Sequence, residues 1–552
     1  GAKPCRTGTS FIRTAWRGQI MAKIVTSGEE LVHNGETLPL LSSSAKNMRM
    51  DKLLATPLPT YDSSIPGSYF WTKVAFWMCR RVAAIQFRTT STTREAPLER
   101  GGGGSMCCAW HTNGLMDPLG VFLHHPKEFV VGGRHDLVTR PLLGWWTRKL
   151  AVQPVVRKAE LLRGGCTEEE AQHINGRSLL ALASGITHGF GCVLFPEGTS
   201  HDNSHMIRFR TGPFRTVLAA AALAKANELP MPTLLPVGLH YRRREYFRTD
   251  KYIEFGEPLP LSEEDIPDEL VEAVAKGSWV EPPAEIVFAV RDKLQEKLPS
   301  FTAHTDSWEE HRAVHLLAHV DARISDAPLK TWQDEVHAAR AVKHKILPPS
   351  NVLPPAPLEG ERIADATLAA NILESHGLDG RDLNRAGNGL RRANPIYLLP
   401  ALLRTILFLT FLPFSVTSLG LQVALGRLLG DSTDEGQDAR TSYQFLAAFF
   451  GSLLIWPVVA ALWLGAGFIF HEPLSSLLGF DWRIALGDSG VLRVSVATLA
   501  YLGLFPVFWF SGKTFSWTWD DYVDTRKAWR RRWMKNEEQQ NLNRLLKKLL
   551  ES

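Results

Sequence analysis

The chain has 552 residues, of which 45% are hydrophobic and 22% charged, an ordinary globular balance that excludes wholesale disorder. Its 62 Lys and Arg against 57 Asp and Glu leave a net charge of only +5, so the chain as a whole is not a nucleic-acid binder and any basic function must be local. Six cysteines without a Cys-x-x-Cys pair exclude a disulfide framework, a zinc ribbon and a thioredoxin motif, and favour a reducing compartment.

Residues 1–28 carry Lys3, Arg6, Arg13, Arg17 and Lys23 and no acid. A transit peptide has this charge pattern, but a floppy basic tail is the preferred reading, and 1–68 is assigned to an N-terminal extension. Tyr69 to Phe87, YFWTKVAFWMCRRVAAIQF, is a helix apolar on most sides. Lys73, Arg80 and Arg81 can snorkel from it, which suits either a membrane-surface helix or one packed on the following domain. Residues 107–260 then alternate short apolar runs with helical patterns. CCAW, FVVGG, AVQPVV, CVLF, LLPVGL and YIEFG read as strands, and EEEAQHINGRSLLALASGI and FRTVLAAAALAKANEL as helices. That order predicts an α/β domain over 69–260, with a mixed, largely parallel sheet flanked by helices. Residues 261–395 form a helical, polar region divided by the Pro-rich linker or strap 345–360.

From Ile396 the chain becomes strongly apolar. The stretches 396–426, 445–470 and 491–512 each suffice for membrane helices at about 20 residues per span, so 396–512 is a transmembrane block. Pro400, Arg404 and Pro413 interrupt the first stretch, leaving one broken span, a hairpin and a re-entrant pair open. Positive residues on both flanks place both ends in the cytosol and imply an even number of crossings, against three obvious stretches. The tail 513–552 is read as basic and cytosolic. Its run from Arg526 to Lys535, with Trp529 and Trp533, suits anionic lipid headgroups, and NLNRLLKKLL is amphipathic, with solvated fraying as the plain reading.

Chemistry concentrates at two strand ends, where sheets of this kind bind ligands. AWHTNGLMDPL sets His111 and Asp117 after a strand. A histidine acting as a base needs its other ring nitrogen held by an acceptor, which a carboxylate supplies. CVLFPEGTSHD runs a strand into Pro196, Glu197, Gly198 and Thr199, where Pro stops the strand, Gly198 admits close backbone approach and Glu197 offers a fixed carboxylate. Neither motif is specific alone. Their order is, with LLPVGL following the second about 40 residues on.

On these residues the sequence resembles the PlsC-type glycerolipid acyltransferases, from about Tyr69 to Pro260. His111 and Asp117 match the His/Asp motif, Arg157 in QPVVRKAE the second block, Glu197, Gly198 and Thr199 the third, and Pro236 the fourth. Five residues separate His111 from Asp117 where the usual motif has four. That variant, with His201 and Asp202 after FPEGTS, resembles the fungal and bacterial branch that acylates glycerol-3-phosphate or dihydroxyacetone phosphate. Acylation of lysophosphatidate at sn-2 is the rival within the class. A non-catalytic lipid-binding scaffold is the rival outside it, and a transporter is remote.

The resemblance implies His111 as general base, Asp117 as its orienting partner, and amides around Gly198 and Thr199 as donors to the oxyanion. It implies Arg157 and Arg210 on the acceptor phosphate and Glu197 on the acceptor hydroxyls. The implied partners are acyl-CoA or acyl carrier protein, the phosphorylated acceptor and membrane lipids. No cofactor beyond the co-substrate acyl-CoA is implied, and no metal. The enzyme would be integral to a membrane, with its active site facing the cytosol: endoplasmic reticulum in a eukaryote, inner membrane in a bacterium. His124–His125, His135–Asp136 and His201–Asp202 with His205 lack zinc spacing. Cys107 and Cys108 read as buried small thiols, and Gly101–Gly104 as a flexible turn, since no Gly-Lys-Ser/Thr follows.

Overall fold

The computed structural model describes residues 32–33, 36–37, 48–60, 66–94, 103–162, 165–432, 437–479, 481 and 489–552. The basic stretch 1–28 and Gly101–Gly102 lie outside them. An eight-stranded sheet is built from β1 (Phe87–Arg94), β2 (Ser105–Ala109), β3 (Phe129–Arg134), β4 (Gln153–Val155), β5 (Gly191–Val193), β6 (Thr233–Tyr241), β7 (Thr249–Phe255) and the short β8 (Leu259–Pro260). The strand order is β1-β7-β6-β2-β5-β3-β4, with β8 along β6. Strands β6, β2, β5, β3 and β4 are mutually parallel, whereas β7 runs antiparallel to β6 and β1 parallel to β7. The mixed, largely parallel sheet read from the alternation is therefore present.

All five residues of β2 are buried, as a central strand covered on both faces requires. Helix α1 (Tyr69–Gln86) leads into the sheet, and α2 (Met116–His124) follows β2. Further along the chain, α3 (Glu168–Thr187) and α4 (Gly212–Ala226) share the largest core cluster. Helix α3 opens on a capping box in which the Thr167 side chain accepts from the Glu170 amide and the Glu170 carboxylate from the Thr167 amide. In α4 the run Ala219–Ala222 is fully buried, and these small residues let it lie close against its neighbours.

Strand β1 was not legible in the sequence. FRTTSTTR has no apolar run, and it stands as an edge strand paired only along β7, with solvent on much of its surface. Gly103 and Gly104 correct the expected flexible turn. A side chain at Gly103 would strike the Met231 carbonyl and one at Gly104 those of Ile186 and Phe190, so both glycines serve close backbone packing.

Within 261–395 the helices Asp268–Ala275 and Ala284–Lys297 pack on the core of the α/β domain, and α5 (Trp308–Ile324), α6 (Trp332–Ile346) and α7 (Glu361–Ser375) form the helical region proper. The Pro-rich segment straps across it, the Leu358 amide donating to Glu310 Oε1 at 2.5 Å. Three long apolar helices follow, α8 (Leu398–Asp431), α9 (Gln437–Ile469) and α10 (Gly490–Arg532), and then α11 (Asn536–Glu551). Helices α8 to α10 are each long and apolar enough to cross a membrane. Helix α8 continues through Pro413 without turning back, so the first apolar stretch is one helix rather than a hairpin or re-entrant pair. Among the described residues the count is three, which the even number inferred from flanking charge does not match.

The tail departs from its reading as a lipid-facing extension. Lys527 binds Asp379 at 3.0 Å, Arg531 binds Asp382, and Arg530 donates to the His376 carbonyl, so part of the basic run is spent on protein acids and carbonyls. Trp529 and Trp533 remain exposed. Helix α11 is not frayed: Leu542, Leu545, Leu546 and Leu549 complete the core of α5 and α7.

Candidate active site

Parallel strands end at a common edge, so the residues that follow β2, β5 and β6 converge there. They are His111, the turn at Pro196 to Thr199, and Arg242 to Arg244. His111 Nδ1 lies 3.0 Å from Asp117 Oδ2. Asp117 is the second residue of α2 and fully buried, and its Oδ2 also accepts from the amides of Thr112 at 2.8 Å and Asn113 at 2.7 Å. The extra residue in the spacing is taken up where Gly114 turns at φ +44°, and the contact is kept. With Nδ1 engaged by a carboxylate, the other ring nitrogen is the one available for proton transfer. The ring stacks on Phe195 at 3.9 Å between centroids and 13° between planes. Behind it Tyr241 donates to the Met116 carbonyl at 3.0 Å, its phenol pushed well up by burial and by the Asp117 charge.

Glu197 is buried, and both its oxygens hold protein groups. Oε2 accepts from the His111 amide at 3.0 Å, and Oε1 accepts from the Ile207 amide at 2.9 Å and lies 2.8 Å from His201 Nε2. The carboxylate therefore clamps the His111 backbone to the 201–207 loop, with the His201 amide donating back to the His111 carbonyl at 3.1 Å. Gly198 is exposed at φ +74°, the left-handed turn that its lack of a side chain permits. Its amide donates to the Phe195 carbonyl at 3.1 Å, so of the two amides expected to receive an oxyanion this one already closes the turn. The Thr199 amide is next along the chain. Arg210 lies against the turn, its Cγ 3.1 Å from where a Gly198 side chain would begin and its amide 2.5 Å from the Pro196 carbonyl.

The structure thus brings together His111, Asp117 and Glu197, with Gly198, Thr199 and Arg210 on the adjoining turn. Arg157 follows the edge strand β4, three positions from β2, and its Nε donates to buried Glu160 at 2.7 Å. Sequence reasoning missed Arg244, whose guanidinium donates to the Thr112 carbonyl at 2.7 Å and to Asp202 at 2.6 Å and lies over Trp308. The signal for it was the Arg242–Arg244 run immediately after LLPVGLHY.

It also missed two residues at the start of α9. Thr441 Oγ1 donates to Asn113 Oδ1 at 2.5 Å, and the Leu115 amide donates to Ser442 Oγ at 2.9 Å. Next to them Phe445 and Phe449 pack with Met116, Trp146 and the buried face of α1, where Ala75, Met78 and Cys79 lie. Tyr69, Phe70 and Trp77 of α1 stay exposed, so that helix both packs on the domain and shows an aromatic face outward. No group of three or more His, Cys, Asp or Glu suited to a metal occurs among the described residues.

Residues 84–239 match the family model described as Acyltransferase. Over 151 residues the chain is 28% identical to glycerol-3-phosphate O-acyltransferase 2 of Saccharomyces cerevisiae, covering 27% of this chain and 19% of that protein. Over 124 residues it is 28% identical to glycerol-3-phosphate O-acyltransferase 1 of the same yeast, covering 22% of this chain and 15% of that one. The matched part therefore spans about a fifth or less of these relatives' length. Among solved structures, the 1-acyl-sn-glycerophosphate acyltransferase PlsC of Thermotoga maritima is 15% identical with a TM-score of 0.26, over 40% of this chain and 79% of that one.

Proposed function

From an acyltransferase-type segment over residues 84–239, we propose that this chain is a membrane-associated glycerolipid acyltransferase. It moves a fatty acyl group from acyl-CoA to the sn-1 hydroxyl of glycerol-3-phosphate or dihydroxyacetone phosphate. The observation that carries this reading is the buried Asp117 carboxylate 3.0 Å from His111 Nδ1, fixed by two backbone amides.

A glycerol hydroxyl is a poor nucleophile, so it must lose its proton as it attacks the thioester carbonyl. His111 takes that proton, a role worth about 10²–10⁴-fold, while Asp117 holds the tautomer and stabilises the imidazolium. The carbonyl becomes a tetrahedral oxyanion beside the 196–199 turn, and its collapse breaks the carbon–sulfur bond. The departing thiolate receives the proton from His111, leaving the ester and CoA. Glu197 supports the reaction by fixing the His111 backbone. Helices α8 to α10 would keep the enzyme at the membrane that receives its product, with the site on the cytosolic side.

A scaffold that had lost catalysis would have no need of a buried carboxylate aligned on the histidine, and this favours the enzyme. Membranes carrying the protein are expected to release thiol from palmitoyl-CoA with glycerol-3-phosphate or dihydroxyacetone phosphate, and His111→Ala is expected to abolish release while leaving the melting temperature unchanged. Release with lysophosphatidate alone would move the assignment to the sn-2 step. Wild-type rates in the His111 variant would overturn the mechanism.

A further inference from the structure

A cavity of about 400 Å³ lies between the C-terminal end of β6 and helices α5, α6 and α7, and Trp110, Thr112 and Asn113 of the His111 loop form part of its wall. Six cations line it: Arg242, Arg243, Arg244, Arg312, Arg340 and Lys343. Four are neutralised by protein carboxylates: Arg242 by Asp379, Arg243 by Glu374, Arg244 by Asp202 and Arg340 by Glu254.

Arg312 on α5 and Lys343 on α6 differ. Among the described residues neither forms a salt bridge, and the Glu374 carboxylate whose charge reaches Arg312 is bound to Arg243. The Arg312 Nε is buried without a hydrogen-bond acceptor, and the ammonium of Lys343 donates to the Ala303 carbonyl at 2.8 Å. Glu310 is the acid nearest in effect to Lys343, but it accepts from the amides of Asp306 and Leu358. Burial, with the Arg340 charge, brings Lys343 down to about 8.

Four acids line the cavity as well: Glu335, Glu374 and Asp379 are bound to Arg381, Arg243 and Arg242, and Glu245 is exposed to solvent. His311 and His315 line the same space, and burial keeps both neutral, His315 at about 4. The Nδ1 of His315 is likewise buried without a partner. Two cations without a salt-bridge partner and an unpaired imidazole in one cavity are costly unless an anion visits.

We propose that this cavity is a phosphomonoester site, with Arg312 and Lys343 as its countercharges and His315 as a further hydrogen-bonding group. The assignment deepens the acyltransferase reading and rests on it for the identity of the ligand. Two reactants carry a phosphomonoester, the acceptor and the ribose of CoA. The acceptor's phosphate must lie within a few bonds of the hydroxyl that His111 deprotonates, whereas the ribose phosphate lies at the far end of a long pantetheine arm. The cavity adjoins the His111 loop, and we assign the acceptor, in place of the Arg157 and Arg210 that the resemblance implied and that do not line it. The charges come from the helical region after residue 260, outside the segment that carries the His/Asp and Glu-Gly-Thr motifs.

The test uses the full chain in detergent. Inorganic phosphate and glycerol-3-phosphate are expected to raise its melting temperature. That rise is expected to disappear in Arg312→Gln and Lys343→Gln, and to persist in Arg312→Lys, which keeps the charge and checks that loss of the rise is not loss of the fold. It is expected to persist also in His111→Ala, whereas a phosphate response in an unmutated chain that transfers no acyl group to any acceptor would leave the site standing and fell the enzyme reading instead. In turnover assays the two Gln variants are expected to raise the acceptor KM about tenfold, as loss of a charge-assisted hydrogen bond does. A rise confined to the KM of acyl-CoA would support the site but give it to the CoA phosphate. No phosphate-dependent stabilisation, together with unchanged KM for both substrates, would overturn the proposal.

Discussion

Glu197 shows at the scale of one residue how a motif carboxylate can be committed to the protein itself. Its carboxylate is spent on the His111 amide, the Ile207 amide and His201, so in the proposed mechanism its part is the placement of the His111 backbone. Glu197→Gln keeps the shape but turns an acceptor oxygen into a donor facing N–H groups. It is expected to lower kcat about tenfold or more with little change in the acceptor KM, since one buried charge-assisted hydrogen bond is worth about 1.5–3 kcal/mol. Steady-state kinetics would check this, and a large KM effect would point to direct contact with the acceptor.

Glu254, on β7, shows the electrostatic side of the same scale. Burial alone would raise its carboxyl, but the Arg340 fork at 2.9 Å and the contact with His240 bring it from an ordinary 4.5 to about 2. A carboxyl with a depressed folded pKa stabilises fully above its unfolded value. That contribution is lost as pH falls from about 4.5 toward about 2. Acid unfolding followed by circular dichroism should therefore steepen in this window, and Glu254→Gln should flatten that part of the curve.

At the scale of elements, the second turn of α9 is built into the loop between His111 and Asp117. Thr441 and Ser442 hold Asn113 and Leu115, which flank the bend between His111 and Asp117. Thr441→Val keeps the volume but removes the hydroxyl donor, leaving a buried amide oxygen unpaired at a cost of about 1–3 kcal/mol. It is expected to lower kcat several-fold while thiol release stays His111-dependent, and Thr441→Ser is expected to restore the rate. An unchanged Thr441→Val enzyme would show that the loop holds its shape without the apolar helix.

At the scale of the whole molecule, α10 fastens three parts together. Its apolar half packs beside α8, and Trp509 and Lys513 donate to the carbonyls of Arg81 and Ala84 at the end of α1. Asp520 then forms a buried pair with Arg248 at 2.7 Å, Asp524 binds Arg88 on β1, and Lys527 and Arg531 reach the helical region. Removing one member of a buried pair leaves an uncompensated charge, at about 3–5 kcal/mol. Asp520→Ala is therefore expected to lower the melting temperature in detergent by several degrees and to loosen the helical region, read as faster proteolysis between 300 and 390. Asp524→Ala, in a pair open to solvent, should do far less.

Much of the α/β domain was legible in the sequence because its signals are local. The buried strands are apolar runs, α3 and α4 carry period-3.6 patterns, and His111, Asp117 and Glu197 sit at strand ends where ordered motifs mark chemistry. The same holds for the three apolar helices, whose composition alone sets them apart. Strand β1 was missed because an edge strand buries too little to leave an apolar run, and α2 because a polar turn and a helix start look alike. What only the tertiary structure decided are pairings between residues far apart in the chain. These are the hold of Thr441 on Asn113, the place of α11 in the helical core, the diversion of Lys527 and Arg531 from solvent to Asp379 and Asp382, and the cavity where Arg312 and Lys343 stand unmatched. Local sequence sets which groups a segment offers. Which of them are paired, and which are left over for a ligand, is fixed only when distant segments pack and exclude water.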